Sequence, residues 1–224
     1  MIRVLALFLI GFFPFHASAA NVETTDYIAS PQHFNGFEAI SVATFSYGDS
    51  HAEDGIQVQQ VNGDGNGIWT TYLTPTDPFG YTGTFQGLRS WYPSSGDYGY
   101  TRITTTDGSP FGNIGFQVGS GNGYNTLPAQ AIFLYYELVN DGVVVQSDTI
   151  GSAWTPHWLG FSGGGFDEVR LRDSQNSISS LSSGDLNALA IDSIKVAAVP
   201  EPQAWLLMSL GLFAVGAIAK RRRG

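Results

Sequence analysis

Two β-rich runs, AIFLYYELVN at 131–140 and VVVQSDT at 143–149, flank the dipeptide Asp141-Gly142. Valine, isoleucine, tyrosine and phenylalanine favour strands, because their side chains pack well on a pleated surface. Asp-Gly between two such runs supplies the positive φ values that a tight hairpin turn requires. The sequence therefore predicts antiparallel strands at 131–140 and 143–149, joined by this turn.

Similar runs recur on both sides of this hairpin, between clusters of Gly, Asp and Asn, and no helical period of comparable length appears from 21 to 198. Nine short strands in about 180 residues are typical of an all-β, jelly-roll-like antiparallel β-sandwich. The other predicted strands are Phe37–Tyr47, Ile56–Val61, Ile68–Leu73, Tyr100–Thr105, Ile114–Val118, Phe166–Arg172 and Ala188–Ala197.

The composition excludes several classes of protein. The 224 residues contain no cysteine, which rules out a disulfide scaffold, a thiol enzyme and a zinc-thiolate module. Between residues 20 and 198, 18 carboxylates face five cations, a net charge of −13. Such a surface repels phosphate backbones, so we exclude nucleic acid as a partner, whereas it suits divalent cations.

The first 19 residues have the three parts of a secretory signal peptide. Arg3 supplies the positive charge, Val4 to Phe13 form the apolar stretch, and Ala17-Ser18-Ala19 is a small-x-small cleavage site. Pro14 interrupts the run well before about 20 apolar residues accumulate, which argues against a membrane anchor. We predict cleavage after Ala19 and an exported domain at 20–198.

The last 26 residues, 199–224, form a separate segment. Two prolines, Pro200 and Pro202, end any strand that arrives from Val196. An apolar run from Ala204 to Ala219 gives about 24 Å of helix, which a terminal cluster of four cations follows. These cations mark the cytoplasmic side, so the preceding domain lies outside. The pattern alone fits a type I anchor or a bacterial sorting signal with one transmembrane helix.

The order of these features resembles the PEP-CTERM sorting domain of Gram-negative bacteria. The resemblance implies recognition by an exosortase, a membrane protease that cuts near the motif and passes the protein to the envelope or an exopolysaccharide matrix. In such a protein the motif is a substrate and carries no catalysis. The residues that carry the resemblance are Val199, Pro200, Glu201, Pro202, Trp205, Arg221, Arg222 and Arg223.

Gly160-Phe161-Ser162-Gly163-Gly164 matches the G-x-S-x-G nucleophile pattern. That pattern needs a strand, a strained elbow and a helix, with an Asp and then a His downstream. No histidine follows Ser162, so the segment is interpreted as a glycine turn.

Residues 62–67 have oxygen-bearing side chains and a glycine at the positions where an EF-type calcium loop has them. Position 12 of such a loop is a bidentate carboxylate, but here it is Leu73. A glycine-rich turn between two strands explains the same residues.

Strand parity identifies two carboxylates on apolar faces. Glu38 shares a face with Ile40, and Asp192 shares a face with Ile194. A buried charge needs a metal, a cation or several amide donors, unless a β-bulge turns it to solvent. Residues 37–38 and 190–194 resemble the terminal strands of calcium-stabilised carbohydrate-binding jelly rolls, which implies a structural calcium held by Glu38 and Asp192.

Aromatic side chains crowd a glycine-rich region at 74–99. Flat rings on a rigid scaffold suit sugar rings, and aromatics are also what such a loop uses to bury itself against its own sheet. Sequence does not separate these alternatives. The candidate sugar contacts are Trp91, Tyr92, Tyr98 and Tyr100.

Together these features predict an exported, envelope- or matrix-associated β-sandwich with an adhesive or structural role and no enzymatic activity. Its expected partners are the secretion machinery, an exosortase, the membrane and an exopolysaccharide. The alternative is a secreted carbohydrate-binding module, or a glycosidase that uses two carboxylates such as Glu137 and Glu168.

Overall fold

The computed structural model describes residues 19–40, 44–45, 50–62, 68–69, 85–87, 89–92, 99–120, 132–153, 155–175, 178–181, 189–197 and 210–211. It is an antiparallel β-sandwich. The first sheet has five strands in the order β1-β11-β8-β13-β2. Their bounds are β1 Asn21–Glu23, β2 His33–Asn35, β8 Phe111–Ser120, β11 His157–Phe166 and β13 Leu189–Ala197.

The second sheet has six strands in the order β10-β9-β12-β7-β5-β4. Their bounds are β4 Ser50–Glu53, β5 Ile56–Asn62, β7 Gly99–Thr105, β9 Ile132–Asn140, β10 Val143–Ser152 and β12 Glu168–Ser174. Two short strands, β3 Thr44–Phe45 and β6 Ile68–Trp69, pair with each other.

One hydrophobic core lies between the five- and six-stranded sheets. The ring of Tyr136 in β9 lies 4.7 Å from the ring of Phe161 in β11, and the Phe116 ring of β8 lies 6.3 Å from Phe161. The contact between Tyr136 and Phe161 joins the two sheets across the core, and the contact between Phe116 and Phe161 joins neighbouring strands of the first sheet. Full burial of a phenylalanine side chain contributes about 1.5–3 kcal/mol, so such residues stabilise the sandwich as a unit.

The predicted hairpin is confirmed. β9 and β10 pair in antiparallel register from Val143 opposite Asn140. Asp141 and Gly142 have φ values of +50° and +77°, as a two-residue turn with the twist of the strands requires. The backbone N–H of Asp141 donates to Oδ2 of Asp167 at 2.9 Å, which connects the turn to the start of β12.

The predicted strand Phe37–Tyr47 is wrong at 37–40, whereas Thr44–Phe45 within it forms β3 and its other residues lie outside the described ranges. β2 ends at Asn35, and the side-chain Oδ1 of Asn35 accepts the backbone N–H of Phe37 at 3.0 Å. This Asx turn redirects the chain, and Phe37 takes a φ of +59°. The strand pattern of 37–40 therefore reflects burial of Phe37 and Ile40 in a turn.

β11 is absent from the predicted strands, because its four glycines lower the strand propensity. The structure requires glycine at 160, where a Cβ would lie 2.6 Å from the Tyr27 ring and 2.7 Å from the Ile114 carbonyl. Gly163 has a φ of +82° at the register shift between Ser162 and Phe166. The glycine run is thus a bulge inside a strand.

Candidate functional site

Trp91 and Tyr92, two of the predicted sugar contacts, lie inside the sandwich. Their side chains are 0% and 6% exposed, and burial raises the pKa of the Tyr92 phenol to about 12. The Trp91 ring stacks on Phe37 with 6.2 Å between centroids. Neither ring presents a face to solvent, so the expectation of a sugar platform is wrong for these two residues and the burial alternative holds.

Tyr100 remains accessible, on the outer face of the six-stranded sheet. Its ring is half-buried, and the Arg170 guanidinium carbon lies 5.7 Å from the ring centroid. Desolvation raises the pKa of the Tyr100 phenol. Tyr98 lies outside the described residues. Among the described residues, Tyr100 is therefore the one predicted sugar contact that is accessible to solvent.

The register of three central strands brings four charged residues to this outer face. Arg170 of β12 lies opposite Arg102 of β7 on one side and Glu137 of β9 on the other. Glu168 precedes Arg170 by two residues, so it points to the same face. The intervening Val169 packs into the core. We call Arg102, Glu137, Glu168 and Arg170 the outer-face network.

Ion pairs connect the whole outer-face network. Arg102 Nη2 lies 2.7 Å from Glu168 Oε2, Arg170 Nε pairs with Glu168 Oε1, and Arg170 Nη1 lies 3.2 Å from Glu137 Oε2. The Tyr135 hydroxyl donates to Glu137 Oε1 at 3.3 Å. All four oxygens of the two carboxylates therefore have partners. Rigid strands hold guanidinium, phenol and carboxylate groups together, an arrangement that can hydrogen-bond a hydroxyl-rich ligand.

Asp192, one of the two predicted calcium ligands, is fully buried and lies opposite Gln117 of β8. The predicted face shared with Ile194 is wrong, because a bulge separates the two residues. Asp192 Oδ1 accepts the backbone N–H of Ser193 at 2.5 Å, and Ser193 has a φ of +51° at the register shift between Asp192 and Lys195. Its Oδ2 has no hydrogen-bond partner among the described residues. A buried carboxylate oxygen in this state needs a proton or a cation.

The surroundings of Asp192 favour its neutral form when no cation is bound. The pKa of Asp192 is raised to about 8, mainly by burial and in smaller part by the negative charges of Glu38 and Glu53, while the backbone N–H groups of Ser193 and Gln86 act in the opposite direction. Three carboxylates thus act on one another at this end of the core. Calcium prefers such oxygen ligands but takes six to eight of them. Among the described residues, no group of three or more acidic or histidine side chains has metal-binding geometry.

Glu38, the second predicted calcium ligand, does not point into the core. It is exposed, because the turn at Phe37 replaces the strand from which its inward direction was inferred. Its Oε1 accepts the backbone N–H of Arg89 at 3.2 Å and lies where a Cβ on Gly87 would stand. The Glu38 side chain therefore connects the turn after β2 to the loop that precedes Trp91. It lies on the solvent side of Asp192.

The G-x-S-x-G pattern does not form a nucleophile elbow. Ser162 lies within β11, and its hydroxyl donates to Glu23 Oε1 of β1 at 2.7 Å. The glycines after it form the bulge described above. The serine thus connects an edge strand to its neighbour.

Three predicted features lie outside the described residues, namely the signal peptide at 1–18, the loop residues 63–67 and the sorting segment apart from Leu210 and Gly211. Those two residues are helical. Within the described ranges no helix has the length and apolar character to cross a membrane.

The fold and this site define an antiparallel β-sandwich protein with a fully buried carboxylate on its last strand. No protein-family model matches the chain, and no curated protein matches it. A DUF4465 family protein from Bacteroides caccae resembles it with a TM-score of 0.48 and 9% identity, over 80% of this chain and 99% of that one. The CBM22-1 xylan-binding domain of Paenibacillus barcinonensis Xyn10C has a TM-score of 0.34 and 12% identity, over 70% and 99%. Neither match assigns a family or a function.

Proposed function

We propose that the chain is an exported jelly-roll-like sandwich that is displayed in the cell envelope or extracellular matrix, with a structural or adhesive role. The supporting observation is the position of the described sandwich between the two expected processing sites. Ala20, the expected first exported residue, is buried in the core. β13 ends at Ala197, two residues before the Val199 that opens the sorting segment. The folded unit thus fills the stretch between the two expected processing sites.

Contacts at Ala20 fit this organisation. Its backbone N–H donates to Gln146 Oε1 at 2.7 Å, and Gln146 Nε2 donates to the Ala20 carbonyl at 3.1 Å. Gln146 Nε2 also donates to the Tyr136 hydroxyl at 3.1 Å. Cleavage after Ala19 would leave an amino group at Ala20 for which Gln146 already supplies an acceptor.

The proposed route uses the secretion machinery, transient anchoring in the inner membrane by the C-terminal helix, and an exosortase that acts near Pro200-Glu201-Pro202. Intact mass of the envelope form tests it in the native host. We expect a product that lacks residues 1–19 and everything from near Pro202 onward. Glu201→Ala should accumulate uncut in the inner membrane, whereas Gln203→Ala should be processed normally. Recovery of Arg223 on the mature protein would exclude this route and leave a plain type I anchor.

Carbohydrate binding at the outer face is the second candidate function, and the accessible Tyr100 ring beside Arg170 favours it. Affinity electrophoresis through gels that contain the host exopolysaccharide tests this role. Tyr100→Ala should lose most of the retardation, whereas Thr104→Ala, on the same strand and face, should keep it. Equal retardation of both variants, or none for the unmodified protein, would remove this candidate.

We propose no catalytic role for Glu137 and Glu168. A glycosidase needs one carboxyl group to donate a proton and a second to attack or to activate water. Here Arg102, Arg170 and Tyr135 hold all four oxygens, which supports a structural or ligand-contacting role. The negative charge of the exported part likewise supports the exclusion of nucleic acid.

A structural calcium at Asp192 is a further part of the proposal. The buried oxygen Oδ2 without a partner, next to the charges of Glu38 and Glu53, supports it. Since these groups supply fewer ligands than calcium takes, backbone carbonyls or waters would complete the coordination. When bound, the ion would neutralise the carboxylates and join the last strand to the turn at Phe37.

A further inference from the structure

The strand β10 forms one edge of the six-stranded sheet over ten residues, and within the described residues only β9 pairs with it. In an antiparallel ladder, every second residue of such a strand directs its N–H and C=O away from its neighbour. A long exposed row of these groups is a template on which another strand can pair. The opposite edge, β4, has four residues.

The side chains of β10 leave this edge open. Val143, Val144 and Val145 are 64%, 43% and 47% exposed, and most of the strand is solvent-accessible. Natural edge strands are often protected by lysine, by proline or by a β-bulge. β10 contains neither lysine nor proline, and its register shift lies near its start, between Val144 and Gln146, so residues 146–152 pair regularly. Its one charged residue is Asp148, whose carboxylate accepts the backbone N–H of Thr149 at 2.7 Å. The strand is thus nearly neutral within a strongly acidic domain.

We infer that β10 pairs antiparallel with β10 of a second copy of this chain. Two identical strands in antiparallel pairing form a closed two-fold interface, since the same surface serves on both sides. The charge of the Asp141 turn favours this direction, whereas Asp148, near the middle of the strand, lies close to its copy in either direction. A strand of ten residues is about 33 Å long, so the two Asp141 turns lie far beyond the screening length of about 8 Å. Parallel pairing would instead place Asp141 beside its own copy.

The expected strength of this contact fits a displayed protein. Stable interfaces bury about 1,200–2,000 Å², more than one pair of strands provides. The pairing should therefore be weak in dilute solution. It should become effective where many copies share one surface, because tethering raises the local concentration. The inference rests on the proposed display for its setting, and it names the adhesive partner as another copy of the chain.

Cysteine crosslinking in the full chain tests the inference, because the sequence has no cysteine of its own. Val144→Cys, Ser147→Cys and Gly151→Cys place single thiols along β10, and Ala52→Cys places one on the exposed β4 edge as the matched control. After export into the oxidising envelope, non-reducing gels should show a disulfide dimer. We expect its yield to peak at one β10 position and to fall on both sides, since identical residues meet only at a two-fold axis.

A second variant and a second preparation complete the test. Val145→Lys in the best crosslinking background should reduce the dimer at least about tenfold, a difference of about 1.4 kcal/mol, because it places charge on the paired edge. Equal yields at all three β10 positions, equal yield at Ala52→Cys, or no dimer would overturn the inference. The same assay on uncleaved full chain in detergent micelles separates it from the sorting route. Dimers there would uphold the pairing even if the expected processing failed.

Discussion

Trp91 and Ile191 exchange two backbone hydrogen bonds of 2.9 Å each, which form an isolated antiparallel bridge between the aromatic loop and the last strand. This bridge lies next to Asp192 and places the Trp91 ring in the core against Phe37. The loop segment is therefore part of the fold at this position. Its aromatic residue stabilises the sandwich and closes the end of the core where the buried carboxylate lies.

Trp91→Ala should reduce the free energy of unfolding by about 3–5 kcal/mol, because it removes a fully buried ring and leaves a cavity. Urea denaturation of both proteins measures the difference. Trp91→Phe should cost less, since it keeps an aromatic ring against Phe37. A loss below about 1 kcal/mol for the alanine variant would contradict the structural role of the ring.

Local sequence patterns predicted the parts of the fold that depend on neighbouring residues. Asp141-Gly142 specifies its hairpin because the turn needs positive φ at both positions. The prediction of a strand at Phe37 was wrong because the Asn35 side chain accepts the Phe37 backbone N–H. The resulting turn overrides the strand propensity of the residues that follow. β11 was missed because Gly160 is required by a close approach of Tyr27, a contact between segments more than 130 residues apart.

The candidate sites were predictable to different degrees. Parity along the last strand grouped Asp192 with Ile194, but the register shift after Asp192 breaks that parity, so Ile191 and Ile194 enter the core and the side chain of Asp192 alternates away from them. Asp192 is buried all the same. Glu38 was placed wrongly because residues 37–40 form a turn. The outer-face network was predicted only as two separate carboxylates, although the alternation of charge in Glu168-Val169-Arg170 signals a polar face. Its pairing with Arg102 and Glu137 depends on strand order, which composition and spacing do not determine.

The stability of the metal-free protein should depend on pH through Asp192. The folded state keeps the proton up to about pH 8, whereas the unfolded chain loses it near pH 3.8. The native state thus binds one more proton between these values, so the free energy of unfolding should fall as pH rises through this window and level off above it. In the Asp192→Asn variant, the free energy of unfolding should fall by several kcal/mol less over the same pH range. Urea denaturation at pH 5 and pH 8 in chelator measures it, and parallel pH profiles would contradict the assignment.

Bound calcium should offset the loss of stability of the folded state at high pH. If Asp192 holds a structural calcium, chelation at pH 8 should lower the melting temperature. A ligand at a hundredfold excess over its Kd stabilises the native state by about 2.7 kcal/mol. Asp192→Asn should abolish the sensitivity to chelator, whereas Asp107→Asn, in an exposed turn, should retain it. An unchanged melting temperature in the unmodified protein would remove the calcium proposal and leave a protonated carboxyl.

Arg170→Ala should be the most damaging single change in the outer-face network. Its guanidinium pairs with both Glu137 and Glu168, and the Glu168 side chain is 7% exposed. Removing one partner of a buried ion pair costs about 3–5 kcal/mol, because the remaining charge is left without its counterion.

The matched control for this change is Arg102→Ala, whose side chain is 42% exposed. Loss of an exposed pair costs about 1 kcal/mol or less, since water solvates both groups. Arg170→Lys should fall between the two variants, because it keeps the charge but loses the planar fork that contacts two carboxylates. Urea denaturation at pH 7 ranks all three. If Arg170→Ala and Arg102→Ala cost the same, Arg170 does not hold the network together, and the two carboxylates are stabilised by solvent.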